Sequence, residues 1–209
     1  MAEEIRKKIV KVSKLMYEKG MVNAFEGNVS ILDNGKVYIT PSAVCKGFLT
    51  EDMIVVTDMD GNVLKGDHMP SSEIKMHLAA YRYRHDIKSV VHAHSPYATA
   101  YALANRPIET RAYPEMIVLF DRIPLVPYGT PSTDEIYCGF EGLLKDHDIV
   151  LLANHGIMAI GRDVYDAFFK LESAESMARV LMLAKQLGGE RELPEDKLEQ
   201  LYEIRRKRG

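Results

Sequence analysis

The sequence predicts a single α/β domain, residues 1–209, with helices packed on a central sheet. Three observations carry this expectation. Stretches with apolar residues at helical spacing alternate along the chain with short β-branched runs. A length of 209 residues suits one core and is short for two. Hydrophobic residues at 46% against charged residues at 27% fit a soluble globular chain able to bury that core.

Residues Glu3 to Lys19 read as an amphipathic helix, because Ile5, Ile9, Val12, Leu15 and Met16 share one face, and Gly20 sits where a C-terminal cap belongs. A β-region follows. Gly27 to Leu32 and Lys36 to Thr40 are strands joined by the tight turn Asp33-Asn34-Gly35. Ile54 to Thr57 is a third strand, and Met59-Asp60-Gly61-Asn62-Val63 supplies a turn and a return strand. Ser71-Ser72-Glu73 opens a helix to about Arg84, with serine as its N-cap. Ser89 to His94 is a strand, and Ser95-Pro96 opens a helix to about Ala104. Ile123 to Val126, broken by Pro124, reads as an edge strand or strand end. A helix is expected over about Ser132 to Leu144. The strand Asp148 to Ala153 is expected to run through Asn154-His155-Gly156 and continue over Ile157 to Gly161. A long helix from Asp163 to Leu187 ends at Gly188-Gly189, and a charged terminal helix begins near Pro194.

Composition narrows the partners. A formal net charge of -3 gives no broad positive face for nucleic acid. No apolar run approaches the roughly 18 residues of a membrane span, and the first residues do not read as a secretory leader. Cys45 and Cys138 make no disulfide framework, so a cytoplasmic protein with reduced thiols is expected. Neither a G-x-G-x-x-G nor a G-x-x-x-x-G-K-[ST] motif is present, which removes the main support for dinucleotide-fold and P-loop readings.

The strongest chemical signal is His92-Ala93-His94. On a strand, residues i and i+2 point to the same face, so two imidazoles lie side by side as one metal ion needs. Zinc favours nitrogen and sulfur ligands and in catalytic sites commonly takes three protein ligands. His155, beside Gly156, is the natural third ligand, and Glu73 a candidate fourth that can also serve as acid or base. Two neutral imidazoles on a strand face can equally satisfy each other, and both readings stand at this point. His77, one turn after Glu73, reads as a packing or supporting histidine. His68, His85 and His147 lie in polar loops. A second signal is the set of small residues Gly27-Asn28, Thr40-Pro41-Ser42-Ala43 and Ser71-Ser72 at element ends. Backbone N–H groups and hydroxyls there suit a phosphate, and ordinary capping explains Ser71-Ser72 as well.

Gly27-Asn28-Val29-Ser30, Thr40-Pro41-Ser42, Pro70-Ser71-Ser72-Glu73, Val91-His92-Ala93-His94 and Asn154-His155-Gly156, in that order, resemble the class II (metal-dependent) aldolase family of L-fuculose-1-phosphate aldolase and L-ribulose-5-phosphate 4-epimerase. The resemblance covers nearly the whole chain. It implies a three-layer α/β fold with a central, largely antiparallel sheet flanked by helices. It also implies a homotetramer with active sites at subunit interfaces. A divalent metal, usually zinc with manganese or cobalt as alternatives, would be held by His92, His94 and His155, with Glu73 as fourth ligand or catalytic acid/base. Gly27, Asn28, Ser42, Ala43, Ser71 and Ser72 would bind the substrate phosphate, although Ala43 stands where the pattern has glycine. The implied reaction cleaves a ketose 1-phosphate, L-fuculose 1-phosphate or a related sugar phosphate, to dihydroxyacetone phosphate and an aldehyde through a metal-stabilised enediolate. Tyr113 matches the tyrosine that serves the aldehyde oxygen, or is a packed aromatic. The family's tail tyrosine has no match at the C-terminus, where Tyr202 lies nearly two helical turns from the expected place. Methylthioribulose-1-phosphate dehydratases and sugar-phosphate epimerases share the pattern, but the epimerases carry Asp where this chain has Glu73. A third reading is a non-catalytic scaffold like the adducin head domain.

Overall fold

Ile5, Ile9, Val12 and Met16 recur at helical spacing and are buried along one side of α1 (Ala2–Glu18). The structure, a computed structural model, describes residues 2–208. Beyond α1 the chain lays down β1 (Asn28–Asp33), β2 (Lys36–Ile39), β3 (Val55–Thr57) and β4 (Val63–Lys65). Next come α2 (Ile74–Tyr83), β5 (Ser89–Ala93), α3 (Pro96–Leu103), β6 (Ile108–Glu109) and α4 (Pro114–Leu119). After them follow β7 (Arg122–Ile123), β8 (Leu125–Val126), α5 (Phe140–Leu143), β9 (Ile149–Leu152) and β10 (Gly156–Gly161). Two helices, α6 (Val164–Gln186) and α7 (Glu195–Arg208), close the chain.

Eight strands form one sheet in the order β4-β3-β2-β1-β5-β10-β9-β8. Every neighbouring pair is antiparallel except β8 with β9. The expected three layers and largely antiparallel sheet are therefore present. Strand alternation divides the apolar residues between two cores. Val29, Val91, Ala93, Ile157 and Ala159 face α1, α3 and α6. Val37, Ile39, Val90, Val150, Met158 and Ile160 face α2 and α5. The same alternation puts Asn28 and Ser30 of β1, and His92 of β5, on the α2 side, and β1 pairs with β5 so that Asn28 stands opposite His92.

Several expectations are corrected. The stretch from Asp148 to Gly161 does not run on as one strand. It folds back as the hairpin β9–β10, with Asn154 at φ +56° in a three-residue turn. The helix expected over Ser132 to Leu144 is a 3-10 turn (Asp134–Tyr137) followed by the single turn α5, because Gly139 at φ +100° breaks the path between them. β6, Arg122 of β7 and the helix α4 are additional to the elements expected from the sequence, and Pro114 sits in the first turn of α4. Pro124 separates β7 from β8, as a proline in a strand run should. Ser71 does not cap α2 in the expected way. Glu73 takes the N-cap position without a capping bond, and the Ser71 hydroxyl accepts from the Glu73 N–H at 3.3 Å.

Two loops that matter for the site are tied together. The Ser42 N–H donates to the Met69 carbonyl at 3.0 Å and the Ser71 N–H to the Thr40 carbonyl at 3.1 Å. This bridge seats Ser42-Ala43 against Ser71-Ser72, two segments that are distant in sequence.

Candidate metal centre and anion cavity

His92 near the end of β5 and His94 just beyond it lie on one face, two residues apart. His155 sits in the turn of the β9–β10 hairpin, one residue before Gly156. A Cβ on Gly156 would stand 2.5 Å from the Ala93 carbonyl oxygen and 2.9 Å from the His94 ring, so only glycine lets the hairpin approach β5 this closely. Glu73 reaches in from the start of α2. The three imidazole centroids lie 4.8 to 5.0 Å apart.

The donor atoms converge. His94 Nε2 lies 3.1 Å from His92 Nε2. Glu73 Oε2 is 3.2 Å from His92 Nε2, and Glu73 Oε1 is 2.9 Å from His155 Nε2. His92 Nδ1–H donates to the Ile157 carbonyl at 2.9 Å, which leaves its Nε2 lone pair facing the cluster. Glu73 Oε1 is buried and has no hydrogen-bond partner of proper geometry. Four ligand atoms, one each from Glu73, His92, His94 and His155, lie within 4.8 Å of one another. Three imidazoles and a carboxylate with a buried, orphaned oxygen fit a divalent cation such as zinc. Burial opposes ionisation of Glu73, but the His92 and His155 imidazoles beside it outweigh burial and hold the carboxyl far below its ordinary range. Burial, with His92 and His155 nearby, pulls the His94 pKa down to about 4.

A buried hydrogen-bond chain supports Glu73 from behind. Asn28 Nδ2 donates to Glu73 Oε2 at 2.8 Å, so its Oδ1 is left to accept from His77 Nε2 at 2.5 Å. His77 Nδ1 then accepts from the Ser30 hydroxyl at 2.7 Å, and Ser30 Oγ in turn accepts from the Tyr81 hydroxyl at 2.7 Å. His77 is therefore a neutral supporting histidine, with its pKa pushed down by burial to about 3.

A cavity of about 320 Å³ opens beside the cluster. Gly27, Asn28, Ser42, Ala43, Ser71 and Ser72 all line it, together with Glu73, His94 and His155. Ala43 holds φ +55°, the left-handed conformation that glycine adopts freely. Sequence reasoning missed two charged residues here. Glu26 Oε1 lies 3.5 Å from His94 Nδ1, and Lys46 stands in the wall. Only the adjacency of Glu26 to Gly27-Asn28 offered any signal. Tyr113 and Tyr202 are not brought to this cavity. Tyr113 caps α4 and packs against the α1/α3/α6 core, and Tyr202 lines a different hollow with Arg84 and Arg205.

The family described as Class II Aldolase and Adducin N-terminal domain matches residues 7–182. An L-fuculose phosphate aldolase of Methanocaldococcus jannaschii is 35% identical over 178 residues, which is 85% of this chain and 96% of that protein. A 3-oxo-tetronate 4-phosphate decarboxylase of Haemophilus influenzae is 33% identical over 178 residues, 82% of this chain and 84% of the other. Among solved structures, an L-fuculose 1-phosphate aldolase superposes with a TM-score of 0.87 at 33% identity, covering 96% of this chain and 95% of its own.

Proposed function

The chain belongs to the class II aldolase and adducin N-terminal domain family, and from that premise we propose that it is a metal-dependent aldolase. Its substrate in this reading is a ketose 1-phosphate, L-fuculose 1-phosphate or a related sugar phosphate, cleaved reversibly to dihydroxyacetone phosphate and an aldehyde. The observation that carries the reading is the convergence of His92, His94, His155 and Glu73 beside a cavity walled by Asn28, Ser42, Ser71 and Ser72.

His92, His94 and His155 would hold a divalent cation, zinc before manganese or cobalt, which would supply Lewis acidity to the negative charge left when C3–C4 breaks. The side chains do the remainder. Gly27, Asn28, Ser42, Ala43, Ser71 and Ser72 hold the phosphate, which fixes C3 relative to Glu73. The electron pair of the C3–C4 bond stays with C3, and C4 leaves as the aldehyde carbon. Glu73, ionised and steadied by Asn28, accepts a proton from C3 in the synthetic direction and returns one to C3 in cleavage. In the synthetic direction the Tyr113 hydroxyl of a neighbouring subunit donates its proton to the alkoxide forming on C4, and in cleavage the resulting phenolate takes the C4 hydroxyl's proton back. We propose a homotetramer with shared sites, in which a neighbouring subunit would supply the tyrosine, since Tyr113 stands away from its own chain's cavity. No helix among the described residues is long and apolar enough to cross a membrane. We place the protein in the cytoplasm, acting on a small molecule with neither nucleic acid nor membrane as partner.

The test is a coupled assay for dihydroxyacetone phosphate over a panel of ketose 1-phosphates, with chelator and zinc add-back. Chelator-sensitive release from one substrate supports the reading and names the aldehyde. No release despite bound metal overturns it in favour of a dehydratase or epimerase. Carbon dioxide from a sugar-acid phosphate instead makes the enzyme a decarboxylase. A chain that neither binds metal nor turns over any of these substrates returns the scaffold reading.

A further inference from the structure

Lys46 opens the 3-10 turn Lys46–Phe48, three residues after Ala43. Its side chain lines the cavity that holds Ser42, Ser71 and Ser72, yet the residue is only 3% exposed. A lysine this deep normally has a carboxylate partner, because taking an ammonium out of water is costly. Among the described residues, none lies within ion-pair distance of it. Its one hydrogen bond goes from Nζ to the Val44 carbonyl at 2.8 Å. An ammonium carries three donors, so two are left without a protein acceptor. The cavity's carboxylates, Glu26 and Glu73, pair with His94 and His155 rather than with Lys46. The cation shares the cavity wall with Ser42, Ser71, Ser72 and the left-handed Ala43.

We propose that Lys46 is the countercharge for the substrate's phosphate, completing a subsite whose other groups are neutral. This rests on the sugar-phosphate reading above. The free protein keeps a buried cation short of partners, and the phosphate oxygens accept the two remaining donors when substrate arrives. In support, burial lowers the Lys46 pKa from its ordinary value, against weaker opposing pulls from Cys45 and Glu73. Ser42 and Ser71 position phosphate by hydrogen bonds alone, and a charge-assisted bond from Lys46 adds the larger share of affinity.

The experiment titrates inorganic phosphate into the metal-loaded full chain by calorimetry, with acetate as a parallel probe, for wild type, K46M and K46Q. Wild type is expected to bind phosphate, and both variants are expected to bind it roughly 10- to 100-fold more weakly at unchanged metal content. Phosphate is expected to raise the melting temperature of wild type and not of the variants. Both variants without phosphate are expected to melt no lower than wild type, since each removes a buried charge. Unchanged phosphate affinity in a folded variant overturns the proposal, and so does binding of acetate but not phosphate. Failure of both variants to fold also overturns it, by making Lys46 structural. If wild type releases no dihydroxyacetone phosphate but binds phosphate in a Lys46-dependent way, the aldolase reading falls and the role of Lys46 stands.

Discussion

Glu73 presents two unlike oxygens. Oε2 accepts from Asn28, while Oε1 faces His155 Nε2 with no hydrogen bond of its own. A glutamine of the same size keeps the side chain's place but has no basic oxygen pair. Glu73→Gln is therefore expected to bind inorganic phosphate as wild type does and to lose about 100-fold or more in turnover. Dihydroxyacetone phosphate release set against a phosphate titration checks both halves. Behind Glu73, His77 answers to acid. Its pKa is about 3 when folded, against 6.5 for a free imidazole, so its buried neutral form contributes stability that is complete above pH 6.5. That contribution falls away as pH drops from 6.5 toward 3, because the unfolded chain takes up the proton first. Urea midpoints of the metal-free protein between pH 7.5 and 4.5 are expected to fall for wild type and to fall less for His77→Gln. At this scale the sequence was informative about identity and silent about partners. Strand period 2 put His92 and His94 on one face, and the His-Gly at 155–156 marked a close approach. Nothing local to Lys46 foretold its burial, since the turn that folds it inward is set by contacts far along the chain.

The elements themselves were legible where one signal dominated. Regular apolar spacing made α1 and α6 readable, and Asp33-Asn34-Gly35 fixed the β1–β2 hairpin. The β9–β10 hairpin was not, because buried apolar runs flank Asn154-His155 on both sides and strand periodicity carries no sign of direction. That reversal matters for the metal centre, since it brings His155 back over β5. Gly156→Ala tests the dependence. The added methyl meets the Ala93 backbone and both neighbouring imidazoles, at 2.5 Å, 2.9 Å and 3.2 Å. The variant is expected to lose about 1–3 kcal/mol of stability and to retain less zinc after dialysis than wild type. Unaltered zinc retention would mean that the hairpin's close approach does not set the ligand geometry.

At the scale of the whole molecule, α7 folds back along α4. Arg205 Nη1 donates to the Val118 carbonyl at 3.3 Å, Arg111 pairs with Glu195, and Leu198 is fully buried. This holds the C-terminal helix, with Tyr202, away from its own chain's metal centre. A site completed by a second subunit predicts complementation. His94→Ala and Tyr113→Phe, each inactive alone, are expected to regain roughly a quarter of wild-type activity when unfolded together and reassembled at equal ratio. Mixed material as inactive as its components would mean that His94 and Tyr113 serve a site within one chain. The converging ligands also have a consequence in time. They come from the edge of a helix, a central strand and a hairpin turn, three segments that meet only after the sheet has closed. An ion seated among them is gripped by the finished fold and by little of what precedes it, so it slows the chain's departure from the native state far more than its arrival. The loaded protein should outlast proteolysis for as long as its metal stays put.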